Sequence, residues 1–284
     1  MSIKRSSFLR NLAMGLSASL VLAACGGSTP TDTADTGDAG DTATAETAEV
    51  GESGGTLTVA TEPAFPPFEF QGDDGELQGF DIDLMNAIGE TAGLEIQFES
   101  LPFDGIIPAL QAGTVDAAIS GMTITEERLQ TVDFSRPYIK AGLAIAVKEE
   151  NTEVTSLEDL QDKKIAVQIG TTGASQAAEI PGADISTFDS APLALQELAN
   201  GNVDAVINDA PVTLDAIASG NIDGLKVVGE LLTTEYYGIA LPKDSANVAV
   251  INDALMTMME DGTYAEIYQK WFGDDPVELP ESAF

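Results

Sequence analysis

Beyond residue 25 the 284-residue chain holds only two arginines, Arg128 and Arg136, so the place of each guanidinium is informative. Arg128 closes Ser120-Gly-Met-Thr-Ile-Thr-Glu-Glu-Arg128, where Thr125 suits an N-cap and would set Arg128 in the first helical turn. A guanidinium there can take a carboxylate through two parallel hydrogen bonds. The plainer alternative is a surface ion pair with Glu126 or Glu127. Asp209 ends an apolar run and precedes Pro211, a residue suited to the first turn of a helix. Its carboxylate either caps that helix or aims away from it toward an ammonium group. The run Lys164–Gln168 reads as a strand entering Gly170-Thr171-Thr172-Gly173, with a helix from about Ala174. Backbone amides at such a turn suit an anion. Without the spacing and lysine of a P-loop, a carboxylate fits better than a polyphosphate. Aromatic residues gather in Glu62-Pro-Ala-Phe65-Pro-Pro-Phe68-Glu-Phe70, with Phe103 downstream. Phe65 and Phe103 either flank a flat or aliphatic group or pack their loop onto the body.

Much other chemistry is excluded by composition. The chain has no histidine and one cysteine, Cys25, which removes Ser-His-Asp triads, Cys/His nucleophiles, disulfides and zinc sites built on His or Cys. No GxSxG motif occurs. Catalytic residues, metals and cofactors are all expected to be none. Asp plus Glu number 47 against 12 Lys plus Arg, a net charge of −35. Nucleic acid and anionic lipid surfaces are repelled by such a chain, so no nucleic-acid partner is expected. The charge serves solubility, attraction of cationic ligands, or both.

The elements that must position these residues alternate in type. Thr56–Ala60 reads as a strand, Asp81 as the N-cap of a helix through Glu90, Leu94–Phe98 as a strand, Ile106–Gln111 as a helix and Val115–Ile119 as a strand. This rhythm argues for parallel or mixed sheets covered by helices. Residues 110–121 align without gaps to 198–209, a constant offset of 88 with six of twelve positions identical. Each copy reads as helix end, Gly turn and buried strand. Open α/β sheets bind ligands beyond the carboxyl ends of their strands, here Ser120-Gly121 and Asn208-Asp209. If two lobes face each other, these dipeptides lie across one cleft; the alternative is chance recurrence of a common strand pattern.

The N-terminus accounts for the cysteine. Lys4, Arg5 and Arg10 precede the apolar stretch from Leu12 to Ala24, which suits a secretory signal and is short for a membrane span. Leu22-Ala23-Ala24-Cys25 resembles the bacterial lipobox, whose cysteine is lipidated and becomes the mature N-terminus. An incidental cysteine after an ordinary signal is the alternative. Residues 25–54 then read as the lipidated Cys and a disordered acidic Thr/Asp/Ala linker, too poor in apolar side chains to fold. As a coil it spans roughly 30 Å.

Several motifs carry a family resemblance. Val59-Ala-Thr-Glu-Pro-Ala-Phe-Pro-Pro-Phe-Glu-Phe70, Gly79-Phe-Asp-Ile-Asp83, Gly121-Met-Thr-Ile-Thr-Glu-Glu-Arg128 and Tyr237-Gly-Ile-Ala240 are similar to segments of the polar amino-acid substrate-binding proteins of ABC importers. Gly262-Thr-Tyr264 and Lys270-Trp-Phe-Gly273 add to this. The resemblance, to type 2 periplasmic binding proteins of the bacterial extracellular solute-binding family 3, covers about residues 55–275. It implies an α/β two-lobed fold, each lobe a mixed sheet flanked by helices, joined by two hinge strands. Lobe 1 would take 55–142 and 238–284, and lobe 2 with the hinge 143–237, after a signal at 1–24.

Carried over residue by residue, the resemblance implies that Arg128 grips a ligand α-carboxylate together with backbone groups of Thr123 and Thr172. Asp209 and the Gly121 carbonyl would take the α-ammonium, with Ser120 and Thr171 beside them. Phe65 and Phe103 would wall the side chain, and Glu62, Gln168 and Asn208 would set specificity. Glu62 has no lysine or arginine among these positions, which favours a basic ligand such as arginine, then lysine or histidine. Glutamine is the alternative ligand, and a cyclohexadienyl-dehydratase-like enzyme using Glu62 as acid or base is the alternative activity. A ligand-sensing module for a membrane partner is a third. The expected protein is an extracytoplasmic monomer, lipid-anchored in the periplasm or on the outer face, delivering its ligand to a permease with a separate ATPase.

Overall fold

A computed structural model of the chain describes residues 55–284. The signal segment, Cys25 and the acidic linker fall outside the described residues. Two five-stranded sheets organise the rest. The first has the spatial order Glu95–Ser100, Thr56–Thr61, Ala117–Ala118, Ala240–Pro242, Val132–Phe134. The second has the order Asp184–Phe188, Lys164–Gln168, Ala205–Asp209, Leu143–Lys148, Leu225–Val228. In both, the first three strands run parallel and the fourth runs antiparallel to its neighbours. The two copies of the repeat supply the third strand of each sheet, Ala117–Ala118 and Ala205–Asp209.

The chain crosses between the sheets twice, and the crossing segments Ile139–Ala141 and Glu235–Tyr237 pair antiparallel. Gly142 sits at this crossing because any Cβ there would lie 2.3 Å from the Thr233 carbonyl oxygen. Such a pair couples the sheets through a narrow two-stranded ribbon, the element best placed to bend if they move.

Helices cover both faces of each sheet, so the central strands read as continuous apolar runs rather than alternating ones. In the first sheet Val59 and Ile119 pack with Leu84, Met85 and Ile88 of helix Phe80–Ala92 and with Ile251 and Leu255 of helix Asn247–Asp261. On the opposite face Ala60 and Ala118 meet Ile106 and Leu110 of helix Phe103–Ala112. In the second sheet Ile145, Ile165 and Ile207 face one cluster, while Ala166 and Val206 face Leu195 and Leu198 of helix Ala191–Asn200. Each buried Val, Leu, Ile or Met side chain among these contributes about 1.5–3 kcal/mol.

One cap differs from the expectation. The first long helix begins at Phe80 with Gly79 as its cap, and Asp81 lies inside the first turn, fully buried. The cap must be glycine, since a Cβ on Gly79 (φ 140°) would fall 1.9 Å from the Phe68 carbonyl oxygen. Asp81 is thereby freed from capping and turned to other partners. The helix read from Ile106 starts earlier, at Phe103, and the one read from Ala174 starts at Thr172.

Candidate functional site

The carboxyl ends of the two third strands face a shared, narrow cavity. Phe65, Phe103, Ser120, Gly121, Thr123 and Arg128 line it from the first sheet's side, and Gln168, Thr171, Thr172 and Asp209 from the second's. Of the twelve residues singled out in the sequence, Glu62 and Asn208 alone are absent from this lining.

Arg128 opens a short 3-10 turn, Arg128–Gln130, and its backbone N–H donates to Thr125 Oγ1 at 3.1 Å. Its Nη1 donates to the Thr123 carbonyl at 2.6 Å and its Nη2 to the Gly170 carbonyl at 3.0 Å, so one guanidinium ties the two sides together. The charge lies 5.4 Å over the Phe103 ring. The surface pairing with Glu126 or Glu127 does not form: Arg128 is buried, and it belongs to none of the four ion pairs among the described residues. Burial lowers its pKa, against the pull of Asp209, Glu235 and Glu127.

Asp209 stands at the start of helix Ala210–Ala218, yet its side chain caps nothing. Oδ1 instead accepts from Tyr237 Oη at 2.6 Å, with the residue 5% exposed. Burial pushes its pKa up to about 7, which the Tyr237 hydrogen bond opposes and the nearby Glu235 reinforces. Its main-chain carbonyl accepts from Thr213 Oγ1 at 2.9 Å, one turn into the helix. Asn208 serves the same helix start, its Nδ2 donating to Thr213 Oγ1 at 3.2 Å. That is why Asn208 is turned from the cavity its neighbour lines.

Glu62 sits behind Gln168. The Gln168 Nε2 donates both of its hydrogens, to Glu62 Oε2 at 2.7 Å and to the Asp189 carbonyl at 3.2 Å. The amide's remaining polar atom is therefore Oε1, an acceptor. Burial raises the Glu62 pKa to about 7, the Gln168 bond lowers it, and the charge that acts on it is another acid, Asp104. Thr171 is the N-cap of helix Thr172–Ala178: Oγ1 accepts from the Ala174 N–H and donates to the Gln168 carbonyl. Thr172 Oγ1 and Thr123 Oγ1 both donate to Glu235 Oε2, at 3.1 and 2.7 Å, which joins the two sides through the crossing strand.

Behind the first strand end, Ser120 Oγ accepts from the Glu62 N–H at 3.0 Å and donates to Glu69 Oε1 at 2.8 Å. The Gly121 N–H donates to Asp81 Oδ2 at 2.9 Å. Sequence reasoning gave no role to Glu69, Tyr138, Tyr237 or Glu235, and gave Asp81 only that of a helix cap. Glu69, Asp81 and Tyr237 stand inside quoted motifs, which was signal enough to single them out; nothing local marks Tyr138 or Glu235.

What this arrangement offers is a guanidinium and a carboxylate on one cavity, each hydrogen-bonded yet not paired with the other. Among the described residues no group of three His, Cys, Asp or Glu side chains is arranged to hold a metal ion.

Known proteins match this chain closely. Residues 57–274 match the profile of the bacterial extracellular solute-binding proteins, family 3. A probable histidine-binding protein of Neisseria gonorrhoeae is 37% identical over 223 residues, covering 76% of this chain and 83% of that one. The L-cystine-binding protein TcyJ of Escherichia coli (strain K12) is 35% identical over 224 residues, covering 78% and 84%. Among solved structures, an ancestral arginine-binding protein bound to arginine is 48% identical with a TM-score of 0.75, covering 77% of this chain and 98% of its own. The names of all three describe binding rather than catalysis.

Proposed function

The chain belongs to the bacterial extracellular solute-binding proteins of family 3, amino-acid-binding proteins of ABC transporters, and on that premise we propose that it captures a basic amino acid, arginine foremost. One observation carries the reading: Arg128 and Asp209 line one cavity without forming an ion pair with each other, the two charges a zwitterion needs. Arg128 takes the α-carboxylate, with backbone groups of Thr123 and Thr172. Asp209 and the Gly121 carbonyl take the α-ammonium. Phe65 and Phe103 flank the side chain, Phe103 holding Arg128 on its ring as well.

The side-chain end favours a hydrogen-bond donor, because Gln168 has spent both its N–H groups and keeps only an acceptor. Behind it Glu62 is buried with an acid for its charged neighbour, and a cationic ligand supplies the charge it lacks. Glutamine also donates but does not neutralise Glu62, and the cystine-binding relative keeps neutral ligands in the comparison.

The proposal extends to the whole chain. Lobe 1 comprises 55–142 and 238–284, lobe 2 with the hinge 143–237, and ligand contacts from both favour a closed form. A signal at 1–24 is removed, Cys25 is lipidated, and the acidic linker holds the body near a permease on the extracytoplasmic side. The test is calorimetric competition at pH 7 among arginine, lysine, histidine, glutamine, cystine and glutamate, on wild type and Glu62→Gln. Arginine binding tightest, with its margin over glutamine shrinking in Glu62→Gln, supports the reading; glutamine or cystine binding tightest to wild type overturns it. For the anchor, radiolabelled fatty acid should enter wild type and not Cys25→Ser.

A further inference from the structure

Two fully buried carboxyl groups, Glu69 and Asp81, lie directly behind the lobe 1 wall of the cavity. They accept three hydrogen bonds, two of them from residues of the wall itself. Ser120 Oγ donates to Glu69 Oε1 while accepting from the Glu62 N–H. Asp81 Oδ2 accepts from the Gly121 N–H and from Tyr138 Oη at 2.7 Å. One oxygen on each carboxyl remains, Glu69 Oε2 and Asp81 Oδ1, and both are buried without a hydrogen-bond donor. The Asp81 N–H donates to the carbonyl of Phe68, the residue before Glu69, and the two carboxyls are bonded to adjacent residues, Ser120 and Gly121, so both the chain and the wall bring the two side chains together.

Two bare carboxylates in contact in a dry interior repel strongly, and two orphaned acceptors side by side are each costly. A single proton removes both penalties at once. We propose that Glu69 and Asp81 form a carboxylic acid–carboxylate pair, with one proton held between Glu69 Oε2 and Asp81 Oδ1, and that this pair positions Glu62 and Gly121 for the ligand. The proton resides on Glu69. Burial, the Asp81 charge and the Glu62 charge all push Glu69 well above the usual carboxylate range. Asp81 rises less, to about 6, because Gly121, Tyr138 and Glu69 all donate to its charged form.

The groups facing the pair are consistent with one retained proton. From the loop before it comes Glu62, and from the crossing strands come Tyr138 and Tyr237, whose own pKa values burial raises so that both stay neutral. No cation among the described residues is paired with Glu69 or Asp81. Asp81 as a carboxylate fixes the Ser120–Gly121 peptide plane through the Gly121 N–H, and so the place of the Gly121 Cα from which its carbonyl projects. Glu69 as an acid fixes Ser120 and, through it, the backbone of Glu62. Both are positioning residues rather than ligand contacts, and their link to affinity rests on the binding function proposed above.

Infrared difference spectroscopy on the folded, ligand-free protein tests the proton without reference to any ligand. At about pH 9, where ordinary carboxyls and those raised to about 7 are ionised, wild type should retain the carbonyl stretch of one carboxylic acid. Glu62→Gln should keep the band and Glu69→Gln should lose it. No band in wild type, or a band lost in Glu62→Gln, overturns the pair; should Glu69→Gln not fold, the wild-type spectrum decides alone. The positioning role is read from arginine affinity. Asp81→Asn and Glu69→Leu should each weaken binding roughly ten- to hundredfold. Glu69→Gln, whose amide donates to Asp81 as the acid does, should recover most of the loss. A Gln variant no better than Leu overturns the positioning role even if the band is present. Failure of wild type to bind any amino acid overturns the proposed function and leaves the infrared result standing.

Discussion

The two copies of the repeated segment, 110–121 and 198–209, end at the same place in their sheets and present opposite chemistry there. The first copy ends in Gly121, with φ +50°, and offers the cavity its backbone; its N–H is held by Asp81 from behind. The second ends in Asp209, in extended backbone, and offers a side-chain carboxylate. The reason lies in the neighbours. A Cβ on Gly121 would meet the Phe65 ring at 2.8 Å, so lobe 1 has no room for a side chain where lobe 2 has room for an acid. Each lobe thus carries a buried carboxylate at its strand end, behind the wall in lobe 1 and in front of it in lobe 2. The fold sets the address, and what packs behind the strand end sets the polarity delivered to it.

The contrast is sharpest at its charges. Arg128→Ala, which strips the cavity of its lining cation, should cost arginine binding about 3–5 kcal/mol, because a buried carboxylate loses its partner. Asp209→Asn keeps an acceptor for Tyr237 and loses only charge, so about 1–3 kcal/mol is expected by the same calorimetry. An Arg128→Ala variant that binds within tenfold of wild type would discard the clamp. Gly121→Ala probes the crowding directly: the strained φ and the Phe65 contact should destabilise the fold by about 1–3 kcal/mol, seen as a lower denaturation midpoint. An unchanged midpoint would mean that Phe65 yields and the asymmetry has another cause.

Acidity links the lobes again. Glu62 in lobe 1 and Asp209 in lobe 2 both rise to about 7 in the folded protein, above their ordinary values of 4.5 and 3.8. The folded state therefore binds more protons than the unfolded one between about pH 4 and 7, and unliganded stability falls as pH rises through that window. Arginine binding works in the other direction, since a cationic ligand needs both carboxylates ionised. Its affinity should rise from pH 5 to 7 by up to roughly tenfold per pH unit for each carboxyl, then level off. Melting temperature and affinity measured across one pH series should move oppositely. Parallel movement would contradict the assignment of these two acids. The smallest effect expected is from Asn208→Ala: about 0.5–1.5 kcal/mol of stability with the helix-start hydrogen bond, and less than about threefold in affinity. A large affinity change would restore Asn208 to the specificity role the family resemblance implied.

Some of this site was legible in the sequence because the signal was local. Arg128, Asp209 and the turn at Gly170–Gly173 stand where a strand ends or a helix begins, and strand ends in open α/β sheets face ligands. The repeat announced two sheets of one topology. Asp81 was misread as a cap because an aspartate just before an apolar helical run resembles one, whereas the close approach of Phe68 demanded glycine two positions earlier. The resemblance gave both Asn208 and Asp209 to the ligand, whereas adjacent strand residues point to opposite faces, and Asn208 lies outside the lining with its Nδ2 on Thr213. The place of Glu62 behind Gln168 was not legible, because it is a relation across 106 positions of chain.

By itself the sequence determined the family, the alternation of strand and helix, the two-fold repeat and the scarcity of cations that makes Arg128 stand out. These follow from residue type and short-range spacing, which fix local backbone preference and which face of an element is apolar. The tertiary structure alone decided which charges pair and which remain for a ligand. Arg128 avoids Glu126 and Glu127 and reaches Gly170, Asp209 turns to Tyr237, and Glu69 takes Ser120. Those outcomes depend on distances between elements far apart in the chain and on burial, which multiplies an electrostatic interaction several-fold over its strength in water.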